Sequence, residues 1–344
     1  MQVPAVVAAG DRGAAKAIHG ESKAFLAVGE LPLVAEAVRL LQRVPEVAEV
    51  FVVGDAGRLE KTLRDDAVRR ELVKPLTIVP QFRNLYDNAW ETYRRLLPGA
   101  PPGGRDPATP ADVEQAVLYL SADLPFATAE EVSAFARRAA ALECDYALGL
   151  VTAESMEDFY PAPGRPGIRM AYFVTAQGRM RQSNLHLVKP AKLGHRHYIE
   201  EMYEQRYQKQ IGPVLRLAWR LLTGEGGGLA ALAGFGRMHL AGYLDRRGYT
   251  RLADRLARPL GFARIERLVG RVLAADFRLV VTEAGGCGID VDNDADFDTA
   301  RARGAEWRAA QEAKARRLYG ALALPAGGAE RGAIEPRVVP GGAP

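Results

Sequence analysis

Over its first 150 residues the chain alternates short apolar runs with amphipathic stretches, and this alternation limits the possible folds more than any other feature. The apolar runs are VPAVVAA (Val3–Ala9), EVFVVG (Glu49–Gly54), LTIVP (Leu76–Pro80), AVLYLSAD (Ala116–Asp123) and YALGLVTA (Tyr146–Ala153). Between them PLVAEAVRLLQRV, NLYDNAWETYRRLL and AEEVSAFARRAAAL repeat apolar residues at three-to-four spacing, the period of a helix with one buried face. Strands that are apolar throughout have no face left for water. Alternating with helices, they imply an α/β fold with a mostly parallel, open, Rossmann-like sheet covered by helices on both faces. PGAPPGGRDPATP (Pro98–Pro110) is a surface loop of turn-forming residues.

Beyond this region, Gly167 to Pro190 reads as a long hairpin around a Gln-Gly turn. From His195 to about Ala275 the pattern turns helical, with Gly212-Pro213 expected to bend or break the first helix. Its apolar stripes (Ile199, Met202, Leu215, Leu221, then Leu240, Leu244, Leu252, Leu256) imply packing onto the sheet or a partner helix, ahead of a lid or a lipid-binding surface. DFRLVVTEAGGCGIDVDNDADFDTARA then returns to a strand, a Gly-rich turn and an acidic helix start. The expected division is a core at 1–194, a helical insertion at 195–275, and a return to the sheet with a C-terminal helix at 276–323. A Gly-, Pro- and Ala-rich disordered tail at 324–344 completes it.

Composition narrows the function classes. A formal charge of +4, with no Lys/Arg block, does not suit nucleic acid. Only Cys144 and Cys287 are present, without a pairing pattern, which fits buried thiols in a reducing compartment. No basic leader precedes the first strand and no uncharged run approaches the ~20 residues of a bilayer span, so a cytoplasmic protein is expected.

Three short stretches could carry chemistry. First, Gly10 follows the opening strand and leads into a loop holding Arg12, Lys16 and Lys23. A glycine there lets the backbone pass close to a ligand, and N–H groups entering a helix attract anions. The loop matches neither the Walker pattern nor GxGxxG, and an ordinary strand–helix turn explains it equally well. Second, Asp123 in YLSADLPF ends a central strand, where open α/β sheets bind ligands, while Thr128 is the better cap for the helix that follows. Third, GIDVDNDADF packs four aspartates into seven residues, a hard-oxygen set suited to Mg²⁺. Asp294 and Asp296 fall where acidic residues favour a helix N-terminus, which leaves Asp290 and Asp292. His19, His186, His195, His197 and His239 do not form a set, and the HRH at 195–197 reads as a solvated helix start.

Taken together, these stretches resemble the MobA-like nucleoside triphosphate transferases. VVAAGDRGAAKAIHGESKAFLAVGELPLV is similar to the family's opening signature, SADLPF to its GDxPF and IDVDNDADF to its DVDTPEDL. RQSNLHLVKP resembles a GGN-like element. The similarity covers residues 3 to about 190 and 276 to 302. The sequence departs from the family in Gly10-Asp11-Arg12-Gly13, in Ser22 before Lys23 and in Ala122. The resemblance implies that Ala8, Ala9, Gly10, Arg12, Lys16 and Lys23 hold a triphosphate. It makes Lys23 and Asp123 the catalytic pair, and Asp123 with Asp292 (or Asp290) the ligands of one Mg²⁺. Asn84 and Asn88 lie where relatives approach the nucleobase or ribose, although a helix cap also explains Asn84. Asn184 would face a second, phosphorylated or hydroxylic, small-molecule acceptor.

The implied reaction is transfer of a nucleoside monophosphate with release of pyrophosphate. An anionic acceptor would need no general base. A glycosyltransferase of the related nucleotide-sugar fold is the nearest rival, but its metal-binding Asp-x-Asp would not fall as late as 290–292, and Lys23 suits a triphosphate better. A non-catalytic nucleotide-binding scaffold is the other reading. Nucleobase, acceptor and oligomeric state are not encoded in any of these motifs.

Overall fold

A computed structural model describes residues 1–11, 17–195, 228–323 and 334–340. Arg12, Lys16, His197, the expected break at Gly212-Pro213 and the apolar positions 199–221 lie outside the described residues. In chain order the main elements are β1 (Val3–Ala9), α1 (Leu33–Gln42), β2 (Val47–Gly54), α2 (Ala56–Leu63), β3 (Leu76–Pro80) and α3 (Leu85–Leu96). Then come β4 (Val117–Ser121), α4 (Ala129–Ala140), β5 (Tyr146–Thr152), β6 (Phe173–Thr175) and β7 (Gly178–Val188). The insertion contributes α5 (Gly228–Arg246), α6 (Thr250–Ala257) and α7 (Phe262–Leu273), followed by β8 (Phe277–Thr282), α8 (Asp294–Tyr319) and β9 (Arg337–Val338).

The nine strands form one sheet in the order β8-β5-β7-β4-β1-β2-β3-β9, with β6 paired to β7. β1 pairs in parallel with β2 on one side and β4 on the other. Strand order therefore reverses between β1 and β4, and their carboxyl ends flank the crevice where open sheets bind ligands. Every antiparallel pairing involves β7, which lies between β4 and β5 and also carries β6. The fold is thus the open α/β type expected, mostly parallel. Of the expected hairpin, only Phe173–Thr175 form the outer ladder strand, and the residues before them are not in the sheet.

Alternate residues of β1 face opposite layers. Val3, Ala5, Val7 and Ala9 pack with α1, α2 and α4, whereas Val6 packs with Tyr93 and Leu96 of α3. Side-chain caps fix the helix starts: Asn84 Oδ1 accepts from Asp87 N–H, Thr128 Oγ1 from Glu131 N–H and Asn293 Oδ1 from Asp296 N–H. A further cluster joins α8 to the loops above the sheet. There the Phe126, Phe159 and Trp307 rings lie 5.2–5.4 Å apart, centre to centre. Composition predicts no structure over 324–344, yet Arg337–Val338 pair with β3, and Val339 N–H donates to the Ile78 carbonyl. The segment is corrected to that extent. Val339 is 6% exposed, so a buried valine and a free strand edge decide its conformation despite the glycines and prolines around it.

The β5–β7 register slips between Leu148 and Leu150, opposite Asn184 in a left-handed conformation (φ 54°). The bulge presses Ser183 against Gly149, where a Cβ would come within 2.1 Å of Ser183 Oγ and 3.2 Å of the Leu185 carbonyl. Gly149→Ala is expected to cost about 2 kcal/mol by overpacking, read as a lower urea midpoint. Combining it with Ser183→Ala should recover part of the loss. If the single substitution leaves the midpoint unchanged, the close approach is not real.

Candidate active site

Three loops at the carboxyl end of the sheet bring Lys23, Asp123 and Asp292 together. The first loop leaves β1 at Gly10, and its start is fixed by Gln81. Gln81 Oε1 accepts from Asp11 N–H at 2.9 Å, and its Nε2 donates to Asp11 Oδ1 at 2.8 Å. Asn88 is buried, accepts from Phe82 N–H at 2.6 Å and stands with Nδ2 2.8 Å from where a Gly10 Cβ would lie. A side chain at position 10 would displace the Asn88 amide. The loop re-enters through a tight turn in which Ile18 and Glu21 exchange both backbone hydrogen bonds across His19 and Gly20, each with positive φ. Lys23 opens a short 3₁₀ turn, Lys23–Phe25, whose Ala24 is buried in the core while the Arg58 guanidinium covers the Phe25 ring at 4.1 Å. The buried alanine beside it leaves the lysine side chain to project into the crevice.

Asp123 follows β4. Ala122 N–H donates to the Ala8 carbonyl at 3.0 Å, which ties the end of β4 to β1, and Ser121 Oγ donates to Asp123 Oδ1. Asp292 comes from the stretch after β8. Ile289 and Val291 are buried, so in this extended segment Asp290 and Asp292 both face the other way. The turn preceding them is held by Glu131 of α4, which has no exposed surface. One of its oxygens accepts from Thr282 Oγ1 at 2.7 Å and Gly285 N–H at 3.1 Å, the other from Cys287 N–H at 3.0 Å.

Lys23 Nζ lies 2.5 Å from Asp292 Oδ1 and 3.6 Å from Asp123 Oδ2. Asp290 is held elsewhere: Arg181 of β7 pairs with it and donates through Nε to the Gly288 carbonyl at 2.7 Å. Burial acts to lower the Lys23 pKa, but the hydrogen bond to Asp292 and the charges of Asp123, Asp292 and Asp290 outweigh it. The ammonium is held above its ordinary value and stays charged. Asp123 is pushed up, first by burial and then by Asp290 and Asp292, against the lowering effects of Ser121 and Lys23. Asp296 is likewise pushed up by burial and by the same two neighbours, against the lowering effects of Asn293 and Arg181. The site thus concentrates carboxylates, and a cation relieves that repulsion.

Asn84 is the cap of α3, with its Nδ2 buried and lacking a partner among the described residues. Asn184 is half-buried on β7, next to the Leu185–Leu120 pair and so near the end of β4 from which Asp123 departs. Ala8 and Ala9 are the last residues of β1. Gln81 and Glu131 belong to the site although no motif marks them; Ser121 and Arg181 also belong to it and lie within SADLPF and RQSNLHLVKP, where nothing local singles them out.

Asp123 and Asp292 fit a divalent ion. They offer hard carboxylate oxygens that already share one ammonium. Among the described residues no group of three or more His, Cys, Asp or Glu forms a cage. Two carboxylates with the remaining positions left to water and phosphate oxygens is the usual arrangement for Mg²⁺.

No family model matches this chain and no curated protein does. Among solved structures, the chain is similar to a hypothetical transferase from Thermus thermophilus, at 20% identity and a TM-score of 0.55, over 86% of this chain and all of that one. That likeness establishes a shared fold. Slighter ones are a CMP:2-keto-3-deoxy-manno-octonic acid synthetase complexed with CTP and a 4-diphosphocytidyl-2C-methyl-D-erythritol synthase from Anaerococcus prevotii. Each is 12% identical; the TM-scores are 0.45 and 0.42, over 89% and 88% of this chain and 99% and 96% of those.

The role of Glu131 is directly measurable. Glu131→Gln replaces one acceptor with a donor facing an N–H, a loss of about 2 kcal/mol. Amide hydrogen exchange at Gly285 and Cys287 should then accelerate ahead of the rest of the sheet. Unchanged protection of these two amides would refute the anchor.

Proposed function

We propose that this protein is a Mg²⁺-dependent nucleotidyltransferase of the MobA-like kind. It would move a nucleoside monophosphate from a nucleoside triphosphate to a phosphorylated or hydroxylic small molecule. The observation that carries the reading is the convergence of Lys23 with Asp123 and Asp292, from loops far apart in sequence, at the strand-order reversal of the sheet. The description of the Thermus thermophilus structure as a transferase agrees with it.

In this reading the loop after Gly10 receives the triphosphate, with Arg12, Lys16 and Lys23 supplying positive charge. Lys23, held protonated by its neighbours, places its charge where the phosphate oxygens gain negative charge. Asp123 and Asp292 would hold Mg²⁺, which when bound neutralises charge across the α- and β-phosphates. An acceptor oxygen attacks the α-phosphorus in line, the bond to the bridging oxygen breaks, and pyrophosphate leaves with that electron pair. Arg181 keeps Asp290 out of this set by pairing with it. Asn88 and Asn84 flank the nucleoside end, and Asn184 faces the acceptor.

The test is pyrophosphate release, with each of four nucleoside triphosphates against a panel of sugar and polyol phosphates. EDTA should abolish it. Lys23→Ala, Asp123→Asn and Asp292→Asn should each lower kcat/KM by about 10²–10³-fold, and Asp290→Asn by only about tenfold. No pyrophosphate with any pair, or triphosphate binding that ignores both Mg²⁺ and Asp123→Asn, would overturn the reading.

A further inference from the structure

The helices α5, α6 and α7 carry a charge distribution that nucleotidyl transfer does not use. Residues 228–273 hold nine arginines, no lysine and three carboxylates, while the whole chain sums to only +4. The rest of the chain is therefore net acidic, and the positive charge is concentrated on this insertion.

All three carboxylates turn toward the sheet. Asp245 and Asp254 both pair with Arg179 of β7, and Glu266 accepts from Leu279 N–H and pairs with Arg278. Arg246, Arg251, Arg255 and Arg258 are exposed and have no ion-pair partner among the described residues. Arg247 stacks on the Tyr243 ring at 5.2 Å.

Large apolar side chains lie among these arginines. Phe235 (52% exposed), Leu240 (48%), Tyr243 (47%), Tyr249 (58%) and Leu252 (49%) face solvent, and only five other large apolar side chains in the described protein do so. Up to Asp245, α5 has a single charged residue, Arg237. So apolar a helix is normally buried on all sides. Among the described residues its cover is partial: Gly234 is buried against Leu268 of α7, Ala241, with Ala253 and Ala257 of α6, packs on Val174 of β6, and Leu244 and Leu256 close the contact. Leu240 and Leu252, which the apolar stripes placed in that packing, face away from it.

We propose that the outer face of α5 and α6 lies on the surface of an anionic lipid bilayer. Its aromatic and leucine side chains enter the boundary between headgroups and acyl chains, and its arginines pair with lipid phosphates. The face needs a partner that offers both negative charge and an apolar layer. A nucleic acid duplex provides only the charge, and a second copy of this chain docked through the same face would present the same positive surface. No described helix is long and apolar enough to cross a membrane, so the contact is peripheral.

The test is co-sedimentation of the full-length protein with vesicles of phosphatidylglycerol mixed with phosphatidylcholine, compared with phosphatidylcholine alone. The mixed vesicles should bind at least about tenfold more tightly, and salt should weaken that binding. Arg251→Glu with Arg255→Glu should abolish the preference, and Tyr243→Ser with Leu252→Ser should weaken binding about tenfold, with unchanged thermal melting in both. Tyr243→Trp adds a signal independent of sedimentation: its emission should shift to the blue on the mixed vesicles. The proposal falls if the protein stays in the supernatant with both vesicle types, if the charge reversals leave binding unchanged, or if duplex DNA strips the protein from the vesicles. An unshifted emission would count equally against it.

Discussion

A single ammonium group, Lys23 Nζ, lies within ion-pair distance of carboxylates 100 and 269 positions further along the chain. Like charges repel, and the Asp123 carboxylate, unlike the exposed one of Asp292, is also costly to remove from water. Without the lysine, the two carboxylates would tend to separate. Much of the surrounding structure serves to hold the three loops in place. The backbone bond from Ala122 to Ala8 ties the end of β4 to β1, Gln81 holds the first turn after β1, and Glu131 holds the turn before Asp290. The sheet supplies this precision because its strands are buried on both faces and cannot slip without exposing the core.

The parts legible in the sequence were those with a local signature. Apolar runs spaced by helical periods gave the α/β class, and Lys23, Asp123 and Asp292 each lay in a stretch with a recognisable pattern. Gln81 and Glu131 could not be found in this way, and Arg181, although it opens RQSNLHLVKP, shows nothing there of its pairing with Asp290. Each sits in an ordinary strand, loop or helix sequence, and its role depends on which backbone group the fold places within 3 Å. Strand order was hidden for a similar reason. Hydrophobic pattern reports which face of a strand is buried, not which neighbour it pairs with, so nothing in GRMRQSNLHLV shows that β7 inserts between β4 and β5. Helical periodicity likewise identifies an apolar stripe without showing whether the core covers it, and at Leu240 and Leu252 the core does not.

β7 links regions that are distant in sequence. Arg179 binds both Asp245 and Asp254 at the root of the helical insertion, and two residues later on the same face of the strand Arg181 binds Asp290 beside the site. A displacement of α5 or α6 would pull on the strand that orients the aspartate-bearing loop. The bulge at Asn184, with Gly149 opposite, allows this strand to bend while remaining paired on both sides.

At the far edge of the sheet, the two-residue strand β9 covers β3, and Val339 is buried there with its N–H on the Ile78 carbonyl. Without it β3 would present a row of unsatisfied backbone groups to any extended chain that met it, including the same edge of another molecule. Residues 337–339 therefore act as a guard against self-association, and removing them would risk filaments or precipitate in place of a better-behaved protein.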